Sequence, residues 1–196
     1  MSELEIEDGL AEQDRPRAAS LYWEAFRRKL RPAFATDDQG MAVVKASLRA
    51  DRMLVARVNG SVVGVCGYTA SGVSAVDLSW TSLRSHLPVR GAIRAIAVLA
   101  LLDRSSSHDS LVLDGICVAC SHRGTGIGTA LLDAAGARAR DLGFRAIRLT
   151  VVDTNPRAEA LYRRLGFVAA GGGSLGLLSV VYGFDRYTTM ERTLER

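Results

Sequence analysis

The sequence predicts a mixed α/β fold, in which helices pack against one central sheet. Three observations predict it. The second half of the chain alternates strand and helix, an order that usually makes some neighbouring strands parallel. Two valine-rich runs, residues 53–58 and 61–70, flank Asn59-Gly60, a pair typical of a tight hairpin turn. Residues 78–104 have a helical pattern, which places helices between the hairpin and the second half.

The first half of the chain supplies a strand and two helices ahead of the hairpin. We expect the first strand at residues 4–7. The first long helix is expected at 16–30, because apolar residues recur there at helical spacing; these residues are Ala19, Trp23, Phe26 and Leu30. A second helix is expected at 37–49, since the acidic pair at its start favours a helix N-terminus.

The second half is expected to hold four strands and two helices. The strands are predicted at 110–119, 144–152, 167–170 and 185–194, and the helices at 126–142 and within 155–167. Asn155 is placed to cap the second of these helices, Pro156 suits its first turn and Gly166 is placed to end it. Residues 171–183 have no clear pattern.

The apolar stretch at 78–104 is expected to form two helical pieces broken near Pro88 and Gly91. It has two interpretations, packing in the core or a cover over a ligand cleft. Its most apolar part, Ala95 to Leu102, is also compatible with a dimer interface, because an exposed patch of this kind is otherwise a liability.

Composition favours one globular domain over residues 1–196, with 48% hydrophobic and 23% charged residues. The net charge is +4 and nearly all the positive charge is arginine, which suits an anionic ligand. A nucleic-acid partner is not expected. The basic run at 26–31, FRRKLR, is a short helix face of the kind that is normally solvated.

The N-terminus is acidic and has no apolar signal-peptide core. The longest unbroken apolar run is far shorter than a membrane span. We therefore expect a soluble, cytoplasmic protein without a membrane partner.

Three cysteines are present, and two of them, Cys117 and Cys120, form a CxxC followed by His122. On a strand, this spacing places the two thiols on opposite faces, too far apart to bridge. A zinc site would need a fourth ligand that the sequence does not offer. We expect no metal and interpret the cysteines as small core residues.

The most informative stretch is Arg123 to Thr129, RGTGIGT, at the start of a predicted helix. Free N–H groups and the helix dipole bind phosphate there, and glycines let a pyrophosphate approach the backbone. A Walker A loop would need a lysine, and the dinucleotide fingerprint would need glycine at Thr129. The remaining alternatives are a pyrophosphate site of another type or an ordinary tight turn.

Two signatures in this chain resemble those of the GNAT acetyltransferase superfamily. The family's R-x-x-G-x-G is matched by Arg123, Gly126 and Gly128. A second pattern, an asparagine followed by A-x-x-L-Y-x-x-x-G-F, is matched by Asn155, Ala158, Leu161, Tyr162, Gly166 and Phe167. The resemblance is firm from residue 111 to 167 and weak from 78 to 110.

The resemblance implies a GNAT-like central mixed, mostly antiparallel twisted sheet of six to seven strands flanked by helices, with a helical insertion before the fourth strand. It also implies an acetyl-CoA-dependent N-acetyltransferase. Such an enzyme moves an acetyl group to a primary amine of a small molecule or peptide, by direct transfer in a ternary complex. The alternative is a non-catalytic acyl-CoA-binding sensor or scaffold. The sequence does not identify the acceptor or the oligomeric state, and a homodimer remains open.

Asp114 and Tyr162 are the catalytic candidates. Asp114 is an isolated acid in an apolar run, at a position resembling the family's general base, where Glu is more common. Direct proton transfer from an ammonium to an ordinary aspartate is uphill by about 9 kcal/mol, so a raised pKa or a relaying water is required. The alternative is a strand-end acid bonded to backbone or an arginine. Tyr162 is the candidate acid for the thiolate; its alternative is a core tyrosine.

The cofactor contacts are implied by the resemblance alone. The thioester would lie where the strand at Ile116, Cys117 and Val118 separates from its neighbour, with a backbone N–H near Val118 facing the oxyanion. Asn155 and Tyr162 would also contact the cofactor. The pyrophosphate would be held by the loop residues Arg123, Gly124, Thr125, Gly126, Ile127, Gly128 and Thr129.

Overall fold

The computed structural model describes residues 3–100 and 109–195, which contain one seven-stranded sheet flanked by helices. The strands are β1 (Leu4–Asp8), β2 (Met53–Val58), β3 (Ser61–Thr69), β4 (Ser110–Val118), β5 (Ala146–Val152), β6 (Val168–Ser174) and β7 (Arg186–Thr193). The helices are α1 (Arg15–Leu30), α2 (Asp37–Ser47), α3 (Trp80–His86), α4 (Val89–Ala100), α5 (Ile127–Asp141), α6 (Pro156–Arg164) and the single turn α7 (Ser179–Tyr182).

The sheet order is β1-β2-β3-β4-β5-β7-β6, and β4 with β5 is the parallel pair. The neighbours on either side pair antiparallel. The predicted mixed, mostly antiparallel sheet is therefore confirmed. The hairpin prediction is confirmed as well, because Asn59 and Gly60 both have positive φ, 51° and 77°, as a tight turn between twisted strands requires.

Helices cover both faces of the sheet and create two cores. The first core lies between the sheet and α1 to α4, where Trp23, Phe34 and Leu83 are buried. The second lies between the sheet and α5, where Leu131 and Phe167 are buried. Because strand side chains alternate between faces, a residue of β4 belongs to one core or to the other.

The insertion before β4 forms two helices, as predicted, and the break between α3 and α4 lies at Pro88. Gly91 lies inside α4, so the expectation of a break there was wrong; a helix interior tolerates glycine at a modest cost. Ala92 and Ala95 are buried in the first core, whereas Ile96 and Leu99 line a large cavity. The packing interpretation is confirmed for one face of α4, whereas a cover over a ligand cleft stays a prediction for the face that lines the cavity. Residues 101–104 lie outside the described residues.

The stretch without a clear pattern, 171–183, continues β6 as far as Ser174 and then turns into α7. Glycines are required there because β7 is very close. A Cβ at Gly172 would lie 2.5 Å from the carbonyl oxygen of Tyr187, and one at Gly173 would lie 2.6 Å from its hydroxyl. Because glycine has a low strand propensity, repeated glycines do not predict a strand. Here they allow β6 to approach β7 closely.

The parallel pairing of β4 with β5 is short. It includes three residue pairs, from Ser110↔Ala146 to Val112↔Arg148. Beyond Val112, β4 continues to Val118 beside β3 alone, while β5 continues beside β7 to Val152↔Tyr187. The central strands β4 and β5 therefore separate beyond Val112. This leaves a gap in the sheet between the face that carries the first core and the face that carries the second.

Candidate active site

The separation of β4 from β5 opens a cavity of about 1250 Å³ that reaches both faces of the sheet. Tyr22, Phe26 and Lys29 of α1 line it from the first core, and Tyr162 of α6 lines it from the second. A pocket for one small ligand usually measures roughly 300–1,000 Å³. This cavity is therefore larger than a typical site for one small ligand.

The glycine loop, residues 123–129, leads into α5 through two left-handed positions. Gly124 has φ +82° and Gly126, which immediately precedes α5, has φ +89°. A Cβ at either residue would meet nothing within 4 Å, so the glycines are required by backbone conformation and not by space. At Gly128 a Cβ would lie 3.3 Å from Leu161, so that glycine allows α6 to pack closely.

Side chains of the glycine loop fix its conformation. Arg123 donates through Nε to the carbonyl oxygen of Val118 at 3.1 Å, which ties the loop to the end of β4. Its guanidinium is 57% exposed and lies 3.7 Å from Glu24, so an anion at the loop can reach it. Thr125 donates from its hydroxyl to the carbonyl oxygen of His122 at 2.7 Å. Ile127 is buried in the second core and anchors the first turn of α5.

The segment Ile116 to Val118 has β3 as its neighbour on one side and no paired strand on the cavity side within the described parts of the chain. Cys117 is buried in the first core, and burial raises the pKa of its thiol. The side chain is therefore inert, and any contact that Cys117 makes with a ligand would come from its backbone. Cys120 is exposed and donates to Glu24 at 2.8 Å, so its expected place in the core was wrong. The strand ends before it, and the chain turns outward.

Asp114 lies where the register of β3 against β4 shifts, between the pairs Gly67↔Gly115 and Tyr68↔Leu113. Its carboxylate accepts hydrogen bonds from the hydroxyls of Thr69 at 2.6 Å and Ser74 at 2.8 Å, and from the backbone N–H of Ala75 at 2.7 Å. Asp114 also lines the cavity. The observed partners are those of an acid bonded to backbone and hydroxyls.

Tyr162 lines the same cavity and is partly exposed, with its ring centroid 5.8 Å from that of Phe167. Burial raises the pKa of its hydroxyl, and the thiols of Cys66 and Cys117 raise it further. The phenol therefore keeps its proton at neutral pH. Asn155 caps α6 as predicted, since its side-chain oxygen accepts from the N–H of Ala158 at 3.3 Å, and it also lines the cavity.

The family model described as "Acetyltransferase (GNAT) family" matches residues 15–167, which extend from α1 to the end of the second signature. The chain belongs to the GNAT acetyltransferase family. The matched region contains the glycine loop, the separated edge of β4 and Tyr162.

The relatives of this GNAT protein include streptothricin acetyltransferase from Streptomyces lavendulae, 37% identical over 81 residues. That match spans 41% of this chain and 43% of the relative, which is less than half of either. An N-acetyltransferase structure from Staphylococcus aureus Mu50 aligns over 95% of this chain and 99% of its own, with TM-score 0.70 and 19% identity. A nourseothricin acetyltransferase structure aligns over 73% and 65%, with TM-score 0.50 and 24% identity. The two structures show the shared fold.

Three further residues that line the cavity, all on α1, were not singled out from the sequence. Tyr22 is buried beside Phe26, with ring centroids 4.6 Å apart, and burial together with the charge of Asp114 raises the pKa of its hydroxyl. Phe26 packs on β4 so closely that a Cβ at Gly115 would lie 2.3 Å from its ring. With Lys29 these residues are spaced i, i+4 and i+7, one face of a helix. That periodicity is a signal that could have found them.

Residues 3–100 and 109–195 contain no group of three or more His, Cys, Asp or Glu side chains that could hold a metal ion. No helix in these ranges is both long enough and apolar enough to cross a membrane.

Proposed function

We propose that this protein is an acetyl-CoA-dependent N-acetyltransferase that acetylates a primary amine by direct transfer in a ternary complex. One observation carries the proposal. The cavity that Tyr162 lines opens at the separated edge of β4, and one short turn connects the end of that strand to the left-handed glycines before α5. Acetyl-CoA has a pyrophosphate for the helix start and an amide-containing arm for the strand edge.

The cofactor would be held mainly by backbone groups. The N–H groups at the start of α5, from Gly126 to Thr129, provide an anion site of the helix N-terminal type. The guanidinium of Arg123 adds a charged donor beside them. The cavity side of β4 from Ile116 to Val118 offers peptide groups for the amides of the arm. When bound, acetyl-CoA supplies an acetyl group activated as a thioester.

Tyr162 would provide the proton for the departing thiolate. With ordinary pKa values, transfer from a phenol to a thiolate is uphill by about 2 kcal/mol. Burial raises the pKa of Tyr162, so the phenolate would be short-lived and would recover its proton from solvent. A sensor or scaffold has no need for this hydroxyl. Its place in the cavity favours the enzyme over the binding module.

Asp114 would act through a relaying water. Direct transfer of a proton from an ammonium to an ordinary aspartate is steeply uphill, so the transfer would need the water. A chain of water molecules from the cavity to solvent would carry the ammonium proton away, and the negative charge of Asp114 would polarise these waters. In this role Asp114 also holds the loop at residues 74 and 75 against β4.

Calorimetric titration with acetyl-CoA tests the proposal. We compare wild type with Gly126→Glu, which places a carboxylate in the glycine loop. Gly143→Glu is the matched control, because Gly143 has φ +81°, has nothing within 4 Å of a built Cβ and lies beyond the other end of α5. We expect binding to wild type and Gly143→Glu and its loss in Gly126→Glu. Absence of binding to folded wild type, or equal loss in both variants, would contradict the cofactor site.

A further inference from the structure

Lys29 is a half-buried lysine on the wall of the cavity, where its neighbours are apolar and aromatic. The chain has two lysines, and the other, Lys45, is exposed on α2. The ammonium of Lys29 lies 5.8 Å from the ring centroid of Phe26 and 5.5 Å from that of Phe184. Across residues 3–100 and 109–195 no carboxylate forms an ion pair with it and no acceptor forms a hydrogen bond to it. Burial accordingly lowers its pKa.

Stability alone does not explain this lysine. Removing an ammonium from water without an ionic partner is unfavourable, and the two aromatic rings offset only part of that cost. A leucine or methionine would fill the same position on α1 without the penalty. A cation that lines a cavity and has no ion pair or hydrogen bond within the described residues is instead suited to bind an anion.

The charges in the cavity point to the same conclusion. Among the described residues that line it, the charged side chains are Lys29 and Asp114. The carboxylate of Asp114 already accepts three hydrogen bonds from the protein. A polycationic acceptor would therefore meet a like charge at Lys29 and few acidic partners. The walls near Lys29 are apolar, with Phe26, Leu30 and Phe184 among them.

The position of Lys29 assigns it to the acceptor and not to the cofactor. Phe26 touches Gly115, the neighbour of Asp114, and the ammonium of Lys29 lies beside the same ring. Phe26 packs with the first core, whereas Tyr162 packs with the second, next to α5. The proposed cofactor groups lie at the end of β4 and the start of α5. An acceptor entering from the α1 face would pass Lys29 on its way to β4.

We propose that the acceptor is an amine with an apolar body and a carboxylate, and that this carboxylate pairs with Lys29. The inference deepens the proposed function and rests on it for the reaction. In that reaction the amine nitrogen forms a bond to the acetyl carbon, and the thioester C–S bond breaks. The ammonium proton leaves through water, and the sulfur receives a proton as the free thiol.

A binding experiment tests the anion site without any need for catalysis. The probes are 3-phenylpropionate and its neutral analogue 3-phenylpropanamide, titrated calorimetrically into wild type, Lys29→Gln and the control Lys45→Gln. A charge-assisted hydrogen bond in a partly buried site predicts that wild type and Lys45→Gln prefer the acid by about tenfold or more. Lys29→Gln should lose the preference. An equal preference in Lys29→Gln, or none in wild type, overturns the proposal.

An activity experiment tests the substrate class. L-phenylalanine and L-phenylalaninamide are compared as acceptors by the release of free thiol from acetyl-CoA. We expect Lys29→Gln to raise KM for the acid by about tenfold or more and to leave the amide unchanged, with partial rescue by Lys29→Arg. A fall in kcat for both acceptors would assign Lys29 a different role and overturn the proposal.

The failures of the two proposals can be distinguished. Transfer to the amide or to spermidine, with no preference for the acid, would support the acetyltransferase and overturn the role of Lys29. Preferential binding of 3-phenylpropionate that depends on Lys29, without acetyl-CoA binding, would support the anion site and contradict the proposed enzyme.

Discussion

The carboxylate of Asp114 accepts a hydrogen bond from the backbone N–H of Ala75 at 2.7 Å, and this contact joins β4 to the loop that follows β3. The hydroxyls of Thr69 and Ser74 also donate to this carboxylate. The same carboxylate lines the cavity between the separated strands. Asp114 therefore both holds the loop after β3 against β4 and lines the candidate site. Variants of Asp114 can separate these two roles.

Replacing Asp114 by alanine should destabilise the protein by about 3 kcal/mol, because three donors lose their acceptor. For a chain of this size that corresponds to a decrease in Tm of roughly 6–12 °C. Asp133→Ala, at a side chain that is 61% exposed, should change the free energy of unfolding by less than about 0.5 kcal/mol. Thermal and urea unfolding measure both, and equal stability of the two variants would contradict the structural task.

Asp114→Asn keeps the shape of the side chain and most of its hydrogen bonds but removes the charge. If the charge assists proton removal through water, kcat should fall about 100-fold while stability changes little. Measuring kcat and Tm for the same variant separates an effect on catalysis from a loss of stability. A loss of activity that only follows the loss of folded protein would leave Asp114 a purely structural residue.

Tyr162→Phe should lower kcat by about 100-fold with little change in KM, because the departing thiolate loses its proton donor. The hydroxyl of Tyr162 has no hydrogen bond to the described residues, so unfolding should be nearly unaffected. Tyr22→Phe is the matched control, since Tyr22 is a second tyrosine of the same cavity. A large loss of kcat in Tyr22→Phe alone would transfer the proposed role to that residue.

The pH dependence follows from the direction of the Tyr162 shift. Burial raises its pKa above the ordinary value near 10, so the phenol remains protonated through neutral and moderately alkaline solution. The rate should therefore not decrease through loss of this proton below pH 10. A basic limb in kcat below that value that disappears in Tyr162→Phe would contradict the assignment.

Cysteine reactivity reports on the packing of β3 and β4. Burial raises the pKa of Cys66 and Cys117, and both side chains are enclosed, whereas Cys120 is exposed. Labelling with a chromogenic disulfide at pH 8 should modify one thiol in the native protein and three after denaturation. Because a hydrogen bond to Glu24 raises the pKa of Cys120, Glu24→Gln should accelerate its labelling. Labelling of two or three thiols in the native state would show that this part of the sheet is loosely packed.

Gly115→Ala tests the contact between α1 and β4. The added Cβ would lie 2.3 Å from the ring of Phe26, so the ring or the helix must move. We expect a loss of about 1–3 kcal/mol in the free energy of unfolding, typical of overpacking. Phe26→Leu should recover part of it in the double variant. Additive effects in the double-mutant cycle would contradict a direct contact.

Patterns that depend on neighbouring residues were readable from the sequence. Alternating strands and helices, the Asn59-Gly60 turn and the Asn155 cap each express local chemistry, and the structure contains them all. The two signatures around Gly126 and Tyr162 led to the family because their order and separation are specific. The helical insertion was likewise visible in its apolar periodicity.

Features that depend on tertiary geometry were not readable. The basic run on α1 predicted a solvated surface, but Lys29 turns inward because Tyr22 and Phe26 on the same helical face contact the cavity. The partners of Asp114 come from a loop about 40 residues earlier in the chain. The cavity itself arises because β4 and β5 separate after three pairs, and no local pattern marks that point.

Hydrogen exchange measured by mass spectrometry, with and without acetyl-CoA, tests the central claim most directly because it locates the binding site. The account predicts slower exchange at 116–118 and 124–129 when acetyl-CoA is present. Residues 133–141, in the remainder of α5, should change less, which separates a local contact from general stabilisation. Protection confined to other segments, or no protection at saturating acetyl-CoA, would contradict the assignment of the glycine loop to the cofactor.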